Sequence, residues 1–197
     1  MNLSTNIESS SVNAHSPLAI SVCSNCVYNT LIKSNIHEYD QTIILCVGSD
    51  RSTGDSLGPL VGYKLKPLLS IYKEIIVTGT LDDPVHAKNL EEKIDIINKN
   101  YTNPFIIAID ASLGQFNKIG YINIKNGPLR PGLGVNKKLP HIGHISITGV
   151  VNVGGMMEYV VLQNTRLSLV MKMAEVISRS IFLSIFKYYK LELNSSQ

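Results

Sequence analysis

The chain reads as a three-layer α/β/α domain on a mostly parallel twisted sheet with one antiparallel strand. Three observations predict it. Apolar runs of strand length, Thr42 to Val47, Glu74 to Thr78 and Phe105 to Ile109, alternate with amphipathic stretches of helical length. Two of the runs, Thr42 to Val47 and Phe105 to Ile109, are nearly continuous in apolar character, as strands buried on both faces are. Gly120 to Lys125 instead alternates apolar and polar residues. It follows Ile109 after too few residues for a helical crossover, so an antiparallel placement is expected.

The elements follow in order. Met1 to His15 is polar, rich in Ser and Asn, and lacks the basic and apolar regions of a secretory signal. Residues 1–18 are therefore expected as a flexible tail, and 19–197 as a single α/β domain. Ile20, Cys23, Val27 and Leu31 recur at helical spacing and predict a helix over Ala19–Ile36. A helix over Ser56–Ser70 presents Leu57, Leu60, Val61, Leu65, Leu68 and Leu69 on one face. Pro59 suits its first turn, whereas Pro67 is expected to end or kink it. A third helix is expected over Val85–Lys99. Asn126 to Gly143, with four glycines and three prolines, reads as a long loop. His144 to Val151 predicts a further strand. Met156–Gln163 and Leu167–Lys190 predict two helices, the second more apolar than one core-facing stripe requires. A homodimer contact and deep burial in the monomer both account for that breadth.

Composition narrows the function classes. Of the 197 residues, 44% are hydrophobic and 17% charged, and mean hydropathy is +0.12, which suits a packed globular core. Net charge is +3 and the 18 lysines and arginines form no stripe, so no nucleic-acid partner is expected. No apolar run approaches the roughly 20 residues of a membrane span, so no membrane partner is expected and the location is read as cytoplasmic. The three cysteines, an odd number, suit a reduced setting. Cys23 and Cys26 are read as small residues on one helix face.

The chemistry-bearing residues gather at strand ends. The run Ile43–Val47 stops at Gly48, passes through Ser49-Asp-Arg-Ser-Thr-Gly54 and delivers Asp55 before a helix. Phe105–Ile109 delivers Asp110. In open α/β sheets ligands bind outside the carboxyl ends of the strands, so Asp55 and Asp110 are the candidate catalytic pair. Two carboxylates in unlike environments divide acid and base roles. The bland alternatives are a helix-capping role for Asp55 and a turn-bonding role for Asp110. Ser49, Asp50 and Ser52 are expected to line the pocket, with Ser52 or Thr53 capping the helix. His86 and Lys137 are expected to border it. Asp82, Asp83 and His86 could supply metal ligands, but Asp-Asp-Pro ahead of a helix is an ordinary start signal. His141 and His144 would point to opposite faces of a strand and not share a metal. The loop carries neither a phosphate-binding Gly-Lys-Ser/Thr ending nor G-x-G-x-x-G, and the chain has no G-x-S-x-G or H-E-x-x-H.

Four segments together, Gly48-Ser-Asp-Arg-Ser-Thr-Gly-Asp-Ser-Leu-Gly-Pro59, Asp82-Asp-Pro-Val-His-Ala87, Ala108-Ile-Asp-Ala-Ser-Leu-Gly114 and Pro131-Gly-Leu-Gly-Val-Asn-Lys-Lys-Leu-Pro140, resemble the YyaC-type sporulation protein family. That family distantly resembles the spore germination protease and the hydrogenase maturation endopeptidases. The resemblance implies a phosphorylase/hydrolase-like α/β fold and hydrolysis of peptide bonds in spore proteins, small acid-soluble spore proteins among them. It implies catalytic roles for Asp55 and Asp110. In the maturation enzymes acidic residues at similar places and a histidine contact a metal. No histidine of this chain matches that third ligand, so neither metal nor cofactor is expected. The alternatives left open are a non-enzymatic spore protein acting through partners, and a metal-dependent processing peptidase.

Overall fold

The computed structural model describes residues 9–131 and 141–195. Six strands form one sheet: β1 (Ser9–Asn13), β2 (Gln41–Cys46), β3 (Ile75–Thr78), β4 (Pro104–Gly114), β5 (Tyr121–Asn126) and β6 (Ile145–Val153). The helices are α1 (Ala19–Lys33), α2 (Leu57–Leu69), α3 (Leu90–Asn100), α4 (Glu158–Gln163) and α5 (Leu167–Ser195). The spatial order is β1-β5-β6-β4-β2-β3. β2, β3, β4 and β6 pair in parallel, and β5 runs antiparallel to both of its neighbours. The expected antiparallel strand is there, but its neighbour is β6, which inserts between β4 and β5. No helix among the described residues is long and apolar enough to cross a membrane.

Helices cover both faces unequally. On one face α1, α2 and α5 bury Val27, Leu31, Val61, Leu65, Met173, Ile177 and Ile181 against Ile44, Phe105, Ile107, Ile109 and Ile147. α5 packs against α1 on one flank and α2 on the other, which accounts for the breadth of its apolar face. The seam with α1 is kept narrow by small residues. Ser180 and Ser184 donate to the carbonyls of Ile20 and Ser24 at 3.2 and 2.8 Å, so burying these hydroxyls leaves no donor unmade. On the other face α3 alone sets Leu90, Ile94 and Ile97 on Ile43, Leu45, Ile106 and Ala108.

Four expectations are corrected. The tail to residue 18 is not all tail: Ser9–Asn13 pairs with β5, and Val12 is buried while its neighbours remain outward. Four polar residues around one valine carry too faint an alternation to read as a strand. β4 runs five residues beyond Ile109, with a register shift at Ser112/Leu113, so Asp110 lies within the strand. α3 begins at Leu90 because Val85 bridges to Val47 and its carbonyl accepts the Gly48 N–H at 2.7 Å. Pro67 does not end α2, which continues past it to Leu69.

The position of α2 rests on missing side chains. A Cβ at Gly58 would stand 2.0 Å from the Val47 carbonyl oxygen, so the first turn of α2 sits directly on the end of β2. In an exposed helix Gly→Ala gains stability, by up to about 1 kcal/mol. Here the sign reverses. Gly58→Ala is expected to destabilise the protein by about 1–3 kcal/mol, the usual cost of overpacking, read as a lower midpoint in chemical denaturation. An unchanged or raised midpoint would contradict this packing.

Candidate active site

β2 and β4 are adjacent and parallel, and the chain leaves them in opposite directions across the sheet. This is a topological switch point, where a crevice opens past the strand ends. The crevice is a cavity of about 300 Å³ lined by Gly48, Ser49, Arg51, Ser52, Asp55, His86, Asp110 and Ser112, among others. Leu113, Tyr159 and Leu162 supply apolar wall.

Asp55 reaches this crevice because its loop folds back on β2. Gly48 adopts φ +141°, and a Cβ there would lie 2.0 Å from the Asp55 carbonyl oxygen. That oxygen accepts the Ser49 N–H at 3.1 Å. Gly54 donates to the Leu162 carbonyl at 2.8 Å, tying the far side of the loop to α4. The residue ahead of α2 is Ser56, and no side chain caps the helix. Neither the capping role considered for Asp55 nor that expected of Ser52 or Thr53 is realised. Asp55 is left free to face the cavity.

Asp110 arrives from the middle of β4, opposite Thr148 of β6. It is 9% exposed, and one carboxylate oxygen accepts the Ala111 N–H at 2.8 Å. Burial pushes its pKa well above the usual carboxylate range, the nearby charge of Asp55 pushes it further, and the Ala111 amide opposes both. Asp55 is raised as well, first by burial, with the Ser49 amide and the His86 imidazole pulling it back. The two environments therefore part the pair. Asp110 holds a proton more firmly, and Asp55 ionises first.

His86 is presented by a braced loop. Its N–H donates to the Asn89 side-chain oxygen at 2.8 Å, and the Asn89 amide donates to the Pro84 carbonyl at 3.1 Å. His86 Nδ1 and Ser52 Oγ are buried and, among the described residues, have no hydrogen-bond partner. Such orphaned groups are rare in native folds, and both belong to this cavity's lining.

The expected site residues are thus brought together in part. Asp55, Asp110, Ser49, Ser52 and His86 line one cavity. Asp50 does not: it is exposed and lies outside the lining, which its neighbour Arg51 joins instead. A one-residue step along a turn decides which side chain faces in, and composition does not reveal it. Lys137 lies outside the described residues. Asp82 and Asp83 are exposed, and Asp83 pairs with Lys93 at 2.9 Å. Among the described residues no three His, Cys, Asp or Glu side chains converge as metal ligands. His144 sits at the opposite end of β6, stacked on Phe105 at 5.0 Å, its Nδ1 accepting the Ile106 N–H. Cys23 is buried and its thiol is pushed up to about 11, which keeps it unreactive. Arg51, Lys88, Ser112, Tyr159 and Leu162 were missed as pocket residues; only the apolar and basic character of their segments marked them.

The raised pKa of Asp110 has a measurable consequence. In the unfolded chain the group loses its proton near pH 4, whereas the folded protein retains it. Between that pH and the folded value the folded state binds more protons, so this group's contribution to stability falls as pH rises. Asp110→Asn cannot ionise. The variant is expected to match the wild type at about pH 4 and to exceed it in stability at neutral pH, by urea denaturation at both. A variant less stable than the wild type at neutral pH would overturn the assignment of a protonated Asp110.

Sequence comparison gives the family. The chain is 54% identical over 142 residues to a Bacillus subtilis (strain 168) protein described as "Uncharacterized protein YyaC", covering 72% of this chain and 68% of that one. It is also similar to the crystal structure of HycI, a [NiFe] hydrogenase maturation protease from Thermococcus kodakarensis KOD1, at 14% identity. The match covers 80% of this chain and 97% of that one, with a TM-score of 0.48. The model of the family described as "Protein of unknown function (DUF1256)" matches residues 11–180, and the chain belongs to that family.

Proposed function

We propose that the protein is a peptidase-like hydrolase in which Asp55 and Asp110 act as an acid–base pair on a peptide carbonyl. The observation that carries the reading is the pair itself. Two carboxylates, Asp110 within β4 and Asp55 in the loop after the adjacent parallel β2, face one cavity, and burial together with the charge of Asp55 beside Asp110 separates their proton affinities. That division is what water activation requires.

In this reading ionised Asp55 takes a proton from a water molecule. The oxygen attacks the carbonyl carbon, and protonated Asp110 gives its proton to the carbonyl oxygen. The resulting gem-diol collapses with cleavage of the C–N bond. The proton received by Asp55 passes to the leaving nitrogen, and Asp110 recovers its proton from the collapsing hydroxyl. Ser52 Oγ and His86 Nδ1, each without a partner among the described residues, gain one when substrate enters. The apolar wall of Leu113, Tyr159 and Leu162 displaces water from the carbonyl and takes the flanking side chain. The resemblance to the spore germination protease suggests spore proteins as substrates, in the cytoplasm or forespore, with no metal or cofactor.

The test is cleavage of purified small acid-soluble spore proteins, followed by mass spectrometry of the products. The wild type is expected to cut at defined peptide bonds. Asp55→Asn and Asp110→Asn are each expected to lower the rate by at least about 10²-fold, the lower range for losing a general acid or base, with melting temperatures confirming folded protein. Full activity in either variant would remove that aspartate from the mechanism. A folded wild type that cuts no peptide bond in these proteins would favour a non-enzymatic role through a partner.

A further inference from the structure

Asp110, Ala111 and Ser112 wall two cavities. The second, of about 290 Å³, lies on the β5 and β6 side of the aspartate, and Asn123, Lys125, Arg130, Ser146 and Thr148 contribute to its lining. Its origin is topological. Side chains alternate along a strand. Ile122, Ile124, Ile145 and Ile147 enter the core beneath α1 and α5, so Asn123, Lys125, Ser146 and Thr148 face the other way, as Asp110 does beside Ile109. On that face α3 lies over β2 and β4. Among the described residues no helix covers the half over β5 and β6.

This bare half is chemically one-sided. Among the described residues its lining carries hydroxyls, an amide and two cations, and its only carboxylate is the proton-holding Asp110. Lys125 and Arg130 form no ion pair among the described residues. The Asn123 side-chain oxygen is engaged by Ser11 Oγ at 2.8 Å, which leaves its amide hydrogens to donate. Ser146 is buried, though it lines the cavity. The first cavity adds Arg51 and Lys88. Among the described residues four cations thus face two carboxylates, and a concave site with low-dielectric walls focuses such a field.

We propose that the second cavity is an anion subsite in which Lys125 and Arg130 hold a carboxylate of the substrate polypeptide. This rests on the hydrolytic reading of Asp55 and Asp110 and deepens it: the two cavities share a wall of three residues, so the carboxylate lies within a residue or two of the bond to be cut. The guanidinium forks onto two carboxylate oxygens and the ammonium adds a point charge. Ser146, Thr148 and the Asn123 amide satisfy the remaining lone pairs. The carboxylate is either an acidic side chain or a chain terminus.

The test uses Asp55→Asn, which retains the cavity without turnover, and fluorescence anisotropy of labelled short peptides. One peptide carries a single internal Glu and an amidated end, a second has Gln in its place, and a third is the Gln peptide with a free terminal carboxylate. At least one carboxylate-bearing peptide is expected to bind about tenfold more tightly than the amidated Gln peptide, the scale of one charge-assisted contact. Which one does so identifies the source. The difference is expected to collapse when Lys125→Gln or Arg130→Gln is added; Arg130 is exposed, so its replacement leaves the core untouched. Equal binding of all three peptides, no binding of any, or a preference that survives both substitutions would overturn the subsite. Selective binding without cleavage by the wild type would leave the subsite standing and remove the hydrolytic reading.

Discussion

The site depends on one close approach, the return of the loop after β2 onto the strand it has just left. The Asp55 carbonyl occupies the space a side chain at Gly48 would need, and the Val47 carbonyl occupies the space a side chain at Gly58, in the first turn of α2, would need. Backbone meets backbone at both places. The same loop accepts Val85 from the neighbouring crossover through the Gly48 N–H, and α4 through the Gly54 N–H. Three segments distant in sequence are thereby fixed around a single strand end. Asp55 and His86 are set beside Asp110 by main-chain geometry more than by side-chain bonds, so the pocket is formed before any ligand enters.

That rigidity bears on the electrostatics. A buried carboxyl beside a second carboxylate is a poor choice for stability, because burial and repulsion both oppose its charge. The fold accommodates it by holding Asp110 protonated on a central strand with one amide to satisfy it. Asp55, less buried and opposed by an amide and an imidazole, carries the charge instead. Retaining such a pair, together with an orphaned serine hydroxyl and an orphaned imidazole nitrogen, leaves several unmet polar demands in one cavity. Unmet demands gathered in one place are the mark of a site shaped for something other than folding.

Much of this was legible in the sequence. Two nearly unbroken apolar runs, one followed at once by Asp110 and the other leading through a short polar loop to Asp55, revealed two buried strands and both carboxylates. The alternating run Gly120 to Lys125 revealed the antiparallel strand. Hydrophobic spacing marked α1, α2 and α5 within a few residues. What escaped was set by contacts that no local pattern encodes. Val85 belongs to a helical repeat by spacing, yet a main-chain bridge to β2 claims it. Asp50 and Arg51 are equally polar, and only the turn decides which faces inward. β1 escaped because its outward face is all serine and asparagine, and one buried valine is not a period.

The same reason explains why the second cavity was invisible. In a sheet covered on both faces, outward residues are apolar and mark themselves as core. Among the described residues, helices cover β5 and β6 on one face only, so Ser146, Thr148, Asn123 and Lys125 read as ordinary solvent-facing positions. The insertion of β6 between β4 and β5 changes their meaning. It carries that polar face directly against Asp110, turning an apparent outer surface into a continuation of the crevice. Strand order, which the sequence does not disclose, therefore does two things at once. It places the two carboxylates side by side, and it lays a strip of hydroxyls and cations along one flank of them.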